Sequence, residues 1–213
     1  MTREQGPFSL GVVVLAAGRS SRMGQPKLLL PWGETSIMGH LIEQWKKLGA
    51  EQIAVVCSGD AIVIERELDR LNFPQSSRVV NPDPDRGMFS SIQCAARWQG
   101  WQSDLTHWAI VLGDQPHLKV ETLRTILNFS AAHSDKVCQP RKDGHRYHPV
   151  LLPKTIFNEL LESTAESLKE FLESCEMAYC ELNDPGLELD IDRPEDYQKA
   201  RELAKLSGPV NNE

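Results

Sequence analysis

Several common signals are missing from this chain, and each absence narrows the field. There is no G-x-G-x-x-G dinucleotide fingerprint, because Gly18 and Gly24 are separated by Arg-Ser-Ser-Arg-Met. There is no G-x-x-x-x-G-K-[ST] P-loop either, since Gln25 and Pro26 stand between Gly24 and Lys27. The five cysteines, Cys57, Cys94, Cys138, Cys175 and Cys180, form no C-x-x-C pair, and none carries the histidine spacing of a zinc site. They read as reduced, mostly buried thiols of a cytoplasmic protein. A basic excess is lacking: 23 Lys and Arg face 30 Asp and Glu, a net charge of −7, which points away from nucleic acid. The apolar stretch Leu10 to Ala17 is far too short to span a bilayer, so no membrane is expected. It also makes a poor signal peptide, with Glu4 ahead of it and arginines directly behind. No internal repeat, low-complexity tract or dividing linker is visible.

What remains is an ordinary globular composition, 40% hydrophobic and 25% charged over 213 residues, enough for one domain with a full core. A single domain is expected over 1–213, with frayed polar ends at 1–9 and 207–213. The most informative stretch runs from Gly11 to Lys27. Val12 to Leu15 suits a strand buried on both faces. Ala16, Ala17 and Gly18 then remove side-chain bulk so that a ligand can approach the backbone. Arg19, Arg22 and Lys27 follow in one loop with no acidic residue among them. Together they describe a polyphosphate cradle, against the plainer reading of a basic strand-to-loop connection.

Strand and helix alternate along the rest. Pro31-Trp32-Gly33 reads as a turn, and Thr35 or Ser36 as the cap of a helix carrying Ile37, Leu41 and Trp45 on one face and closed by Gly49. Strands are expected at Ile53–Cys57, Arg78–Asn81, Trp108–Leu112, Val137–Gln139, Val150–Leu152 and Ala178–Leu182. Helices are expected at Asp60–Leu71, Met88–Trp98, Val120–Ala132, Thr155–Leu161, Ser167–Leu172 and from Arg193 to about Leu206. Lys142-Asp143-Gly144 is a turn between hairpin strands. The alternation argues a three-layer, Rossmann-like α/β domain with a mainly parallel central sheet. Ligands of such sheets sit at the carboxyl ends of the strands, where the cradle and Asp114 should converge.

Asp114 leaves the sheet after Ala109 to Gly113 and is placed to hold Mg²⁺ against phosphate oxygens, or else to form the turn before Pro116. Asp192, in Asp190-Ile191-Asp192-Arg193-Pro194-Glu195, is balanced between a helix cap and a second metal ligand. Asn81, Gly87 and Ser90 sit around a loop and helix start that offer donors to a ribose or phosphate, although a capped helix explains them too. His148, before Pro149, divides between a structural and a binding role.

At Leu15-Ala16-Ala17-Gly18-Arg19-Ser20-Ser21-Arg22-Met23-Gly24-Gln25-Pro26-Lys27 the chain resembles the small molybdopterin nucleotidyltransferase family, its cytidylyltransferases in particular. The likeness extends in pieces from Gly11 to about Tyr197. It implies that Leu15 to Arg19 and Lys27 hold an incoming CTP, and that Val111-Leu112-Gly113-Asp114-Gln115-Pro116 is the metal-binding strand end. It also implies that Asp192 is a second metal residue, that Asn81, Gly87 and Ser90 lie on the nucleotide side, and that His148 is on the acceptor side. Tyr147 stands where the family usually has a small residue. Ser163 to Ser167 stand where the cytidylyltransferases tend to carry Gly-Asp-x-Gly, so the acceptor half matches less well.

The resemblance implies a Mg²⁺-dependent transfer of CMP from CTP to a molybdopterin-type phosphate with release of pyrophosphate, and a molybdoenzyme as an onward partner. Arg19, Arg22, Lys27 and Asp114 would carry catalysis. Ala17 stands where guanylyl-transferring relatives have glycine, and its Cβ would favour a pyrimidine over a purine. Other readings on the same scaffold are a quinone or pigment oxidoreductase, a molybdoenzyme maturation accessory protein, and a molybdenum-cofactor carrier without turnover.

Overall fold

The computed structural model describes residues 8–18, 20 and 22–205. Ten strands and seven α-helices are present among them. In chain order they are β1 (Leu10–Leu15), β2 (Pro31–Trp32), β3 (Thr35–Ser36), α1 (Ile37–Lys47), β4 (Gln52–Ser58), α2 (Ile62–Arg70), β5 (Arg78–Asn81), α3 (Met88–Arg97) and β6 (His107–Leu112). They continue as α4 (Val120–Ala132), β7 (Val137–Lys142), β8 (His145–Arg146), β9 (Val150–Pro153), α5 (Lys154–Glu159), α6 (Leu168–Glu173), β10 (Met177–Glu181) and α7 (Pro194–Leu203). Short 3₁₀ turns at Lys27–Leu29, Gln75–Ser77, Pro84–Arg86 and Pro185–Glu188 link them.

One sheet has the order β10-β7-β9-β6-β1-β4-β5, with β8 added on β7. β1 lies in its interior beside the central β6, parallel to both β4 and β6. Val12 and Val14 point to one face and Val13 to the other, and all three are fully buried. One side is covered by α1, α2, α4 and α7 through Ile37, Leu41, Trp45, Leu68, Ile126 and Tyr197. The other is covered by α3, α5 and α6 through Phe89, Ile92, Phe157 and Phe171. The three-layer, mainly parallel architecture expected from the alternation is therefore present. The exceptions are β9, antiparallel to both β6 and β7, and the small hairpin strand β8. The β7–β8 turn carries φ of 50° at Asp143 and 81° at Gly144, the left-handed pair that a two-residue hairpin turn requires.

Local chemistry accounts for most boundaries. Ser36 Oγ accepts the Gly39 N–H at 3.0 Å and starts α1. Ser167 Oγ accepts the Glu170 N–H at 3.1 Å and starts α6. Some expectations need correction. Gly59 and Asp60 form a turn closed by Ala61 N–H donating to Ser58 O at 3.2 Å, and Ala61 is the cap, so α2 begins at Ile62. Pro31-Trp32 pairs antiparallel with Thr35-Ser36, so the expected turn lies at Gly33-Glu34. α7 is not capped by Asp192. Arg193 occupies the cap, and its N–H donates to Asp196 Oδ2 at 3.0 Å. The expected frayed start does not extend to Phe8 and Ser9. Ser9 is buried and donates its N–H to Thr106 Oγ1 at 2.9 Å, while Phe8 packs on the His107 ring. No helix among the described residues is long and apolar enough to cross a membrane.

Candidate active site

β1 and β6 are adjacent and in register to their last residues, Leu15 opposite Leu112. The segments that leave them, Ala16-Ala17-Gly18 and Gly113-Asp114, therefore emerge side by side at the carboxyl edge of the sheet. They wall a cavity of about 300 Å³ that is also lined by Leu15, Lys27, Gly87 and Met88. The two glycines in this wall differ in why they are small. A Cβ on Gly113 would stand 2.7 Å from Leu15 O and 2.7 Å from Leu28 Cδ2, so internal packing demands glycine there. A Cβ on Gly18 would meet nothing within 4 Å, so its open space belongs to the cavity.

The charged groups come from three distant segments. Lys27 Nζ donates to Asp114 Oδ2 at 2.7 Å and to Asp192 Oδ1 at 3.3 Å. Arg22 Nη1 donates to the other oxygen of Asp192 at 2.8 Å. The sequence shows these cations without acidic neighbours, but the folded chain supplies the partners from positions 114 and 192. Arg19 lies outside the described residues. The backbone makes the convergence stable: Ile191 N–H donates to Asp114 O at 3.1 Å, and Gln115 Nε2 to Asp190 Oδ1 at 2.8 Å. The segment 190–192 is thereby clamped against the end of β6.

The electrostatics follow this geometry. Burial pulls the Lys27 pKa down, but the charge and hydrogen bond of Asp114, then of Asp192, outweigh it and raise the value above 10.5. Burial pushes Asp192 up, and Lys27 and Arg22 override it to hold the carboxyl below its ordinary 3.8. Asp190 is raised, by burial and then by the charge of Asp114, with Gln115 opposing. Gln115 and Asp190 carry no role in the sequence reading. Their only signals there are their positions beside Asp114 and Asp192.

The loop after β5 behaves differently from expectation. Asn81 is buried, and its Nδ2 donates to Ser90 Oγ at 2.8 Å and Ser91 Oγ at 2.9 Å. Its Oδ1 accepts the Asp83 N–H at 2.9 Å. Ser90 Oγ in turn bonds Gly87 O at 2.7 Å. Asn81 and Ser90 thus fasten the loop from behind, and the residues they bring to the cavity are Pro84, Gly87, Met88 and Ser91. Gly87 has φ 89° and ψ 178°, a conformation closed to other residues. His148 is partly buried, with Nδ1–H donating to Ile110 O at 3.3 Å, and burial holds its pKa below the ordinary 6.5 against that hydrogen bond and the charge of Asp114. It also lines a second cavity, of about 410 Å³, with Gln139, Arg146 and Lys169, and this cavity shares Met88 with the first.

Among the described residues no group of three or more His, Cys, Asp or Glu gathers as a metal site. The two carboxylates of Asp114 and Asp192 nevertheless suit a divalent cation that takes its remaining ligands from phosphate and water. Asp114 Oδ1 is buried and has no hydrogen-bond partner among the described residues, which leaves it free to coordinate.

A site made this way offers charge and backbone donors to a small anionic ligand, and on a Rossmann-like frame that suits a nucleotidyltransferase. Comparison with known proteins agrees. The chain belongs to the family described as MobA-like NTP transferase domain, whose model matches residues 12–179. It is 27% identical over 196 residues to the molybdenum cofactor cytidylyltransferase of Escherichia coli K12, covering 91% of this chain and 96% of that protein. Among solved structures it is similar to Rv0371c of Mycobacterium tuberculosis, with a TM-score of 0.70 and 26% identity over 92% of this chain and 99% of that one. The manganese complex of that protein superposes with a TM-score of 0.66, at 25% identity over the same shares of the two chains.

Proposed function

We propose that this nucleotidyltransferase moves CMP from CTP to a molybdopterin-type phosphate, with Mg²⁺, in the cytoplasm. The observation that carries the reading is the meeting of Lys27, Asp114 and Asp192 beside the cavity of the small-residue turn. The backbone at Ala16, Ala17 and Gly18 receives the triphosphate, and Arg19, Arg22 and Lys27 neutralise it. Asp114 and Asp192 hold Mg²⁺, which when bound supplies positive charge at the α-phosphate. Asn81 and Ser90 act indirectly, by holding Gly87 and Ser91 against the nucleotide. The acceptor occupies the cavity beyond Met88, where Arg146 and Lys169 offer charge to its phosphate and His148 shapes the wall. An acceptor phosphate oxygen attacks the α-phosphorus in line, the α–β bridging bond breaks, and its electrons leave with pyrophosphate. Positioning and charge neutralisation carry such a reaction without a covalent nucleophile.

The similarity to the cytidylyltransferase supports the base and the acceptor. Five free cysteines support a reducing compartment, with burial raising Cys57 to about 12 and Cys138 to about 11. The test is pyrophosphate release on mixing the protein with Mg²⁺, CTP and molybdopterin. Release that needs all three supports the reading. Faster release with GTP overturns the base, and release with CTP but no molybdopterin overturns the acceptor. A molybdoenzyme that accepts the product directly would be the onward partner.

A further inference from the structure

The position of the Lys27 ammonium carries a consequence for how the site fills, and it rests on the reading of Asp114 and Asp192 as metal ligands. We propose that Lys27 is a resident counter-ion that keeps the Asp114–Asp192 pair closed to a lone divalent cation and frees it when a triphosphate draws the ammonium away. Between the carboxylates Lys27 Nζ lies 2.7 Å from Asp114 Oδ2 and 3.3 Å from Asp192 Oδ1, and Arg22 Nη1 lies 2.8 Å from Asp192 Oδ2. Among the described residues, each of these two carboxylates already faces a cation before any ligand arrives. A lone dication would therefore have to displace the ammonium or sit beside it, and like charges at this range repel strongly.

The same side chain lines the cavity of the small-residue turn, so an incoming triphosphate offers the ammonium new acceptors within reach. Lysine suits this exchange because its charge is a compact point on a flexible stem, and no planar fork has to be unlocked. Lys27 also satisfies Asp114 only in part, since Oδ1 remains buried without a partner among the described residues. Binding of dication and triphosphate is then positively coupled, each raising the affinity for the other by the same factor.

The test is titration of the full chain with Mn²⁺, read by loss of the free-ion electron paramagnetic resonance signal. It is run with and without a CTP analogue whose α–β linkage cannot be cleaved, and the Mn²⁺ that the analogue takes up in the absence of protein is measured and subtracted. Wild type is expected to bind Mn²⁺ weakly alone and tightly with the analogue. Lys27→Met should raise the analogue-free affinity about tenfold or more, since one adjacent positive charge is removed. Adding Asp114→Asn should erase that gain, whereas Lys27→Arg should keep the wild-type weakness. Thermal unfolding of each variant identifies any that does not fold, and the wild-type coupling measurement needs no variant. Equal wild-type affinity with and without the analogue overturns the proposal. So does an unchanged analogue-free affinity in folded Lys27→Met; if Asp114-dependent binding with the analogue persists, the metal reading survives. Loss of Asp114 dependence in every condition overturns the metal reading as well.

Discussion

At the scale of single residues, Asp114 and Ala17 separate two kinds of contribution. Asp114 is partly exposed at the cavity, and one of its oxygens is taken by Lys27 while the other is unpartnered among the described residues. Asp114→Asn keeps the volume and removes the charge, so the fold should survive. Metal-dependent transfer should fall by roughly several kcal/mol of transition-state stabilisation. A folded Asp114→Asn protein with near-normal turnover would remove Asp114 from the metal site. Ala17 is buried at the edge of the cavity, where its Cβ is the one atom that distinguishes it from glycine. A one-carbon change in a pocket discriminates by about 1–3 kcal/mol, so Ala17→Gly should weaken a preference for CTP over GTP without abolishing it. The ratio of kcat/KM for the two nucleotides measures this, and an unchanged ratio would place discrimination elsewhere in the loop.

At the scale of elements, the glycines just beyond the ends of β1 and β6 have opposite tolerances. Gly113→Ala forces a methyl group against the backbone of Leu15, which has no rotamer with which to yield. Overpacking of this kind costs about 1–3 kcal/mol, visible as a lower urea midpoint at unchanged slope. Gly18→Ala meets open space and should leave the midpoint within about 0.5 kcal/mol of wild type while raising KM for the nucleotide. The reverse pattern, a stable Gly113→Ala and an unstable Gly18→Ala, would contradict the assignment of the cavity to a ligand.

For the whole molecule, four histidines set the response to acid. His40, His107, His117 and His148 are all held below their ordinary 6.5, chiefly by burial, with hydrogen bonds to carbonyl oxygens opposing. Below pH 6.5 the unfolded chain binds protons that the folded chain refuses, so stability rises with pH across this window and is lost on acidification. Asp190, raised above 3.8, works the other way in the range just above that value, because its folded form retains a proton that the unfolded form has released. The histidines outnumber it. Thermal unfolding should therefore give a lower Tm at about pH 5.5 than at about pH 7.5. A flat profile would mean that these rings are protonated in the folded state at no cost.

The sequence alone determined what depends on neighbours along the chain. Leu10 to Val14 of β1 are buried, Ser36 caps a helix, and Asp143-Gly144 turns a hairpin, because each is decided within a few residues. That the small-residue turn and Asp114 leave the sheet at the ends of their strands was legible for the same reason, and both line one cavity. Only the tertiary structure decided the partners. Lys27 lies 87 positions from Asp114 and 165 from Asp192, and no local pattern could pair them. The fold also moved Asp192 out of the α7 cap, because Arg193 takes the cap and the bond from Ile191 to Asp114 carries the segment to β6. It set Asn81 and Ser90 behind the cavity wall, where their hydrogen bonds to one another and to the loop leave the lining to Pro84, Gly87, Met88 and Ser91. Charge and side-chain type are written in the chain; which charges face each other is fixed by the parallel crossover that brings the ends of β1 and β6 together.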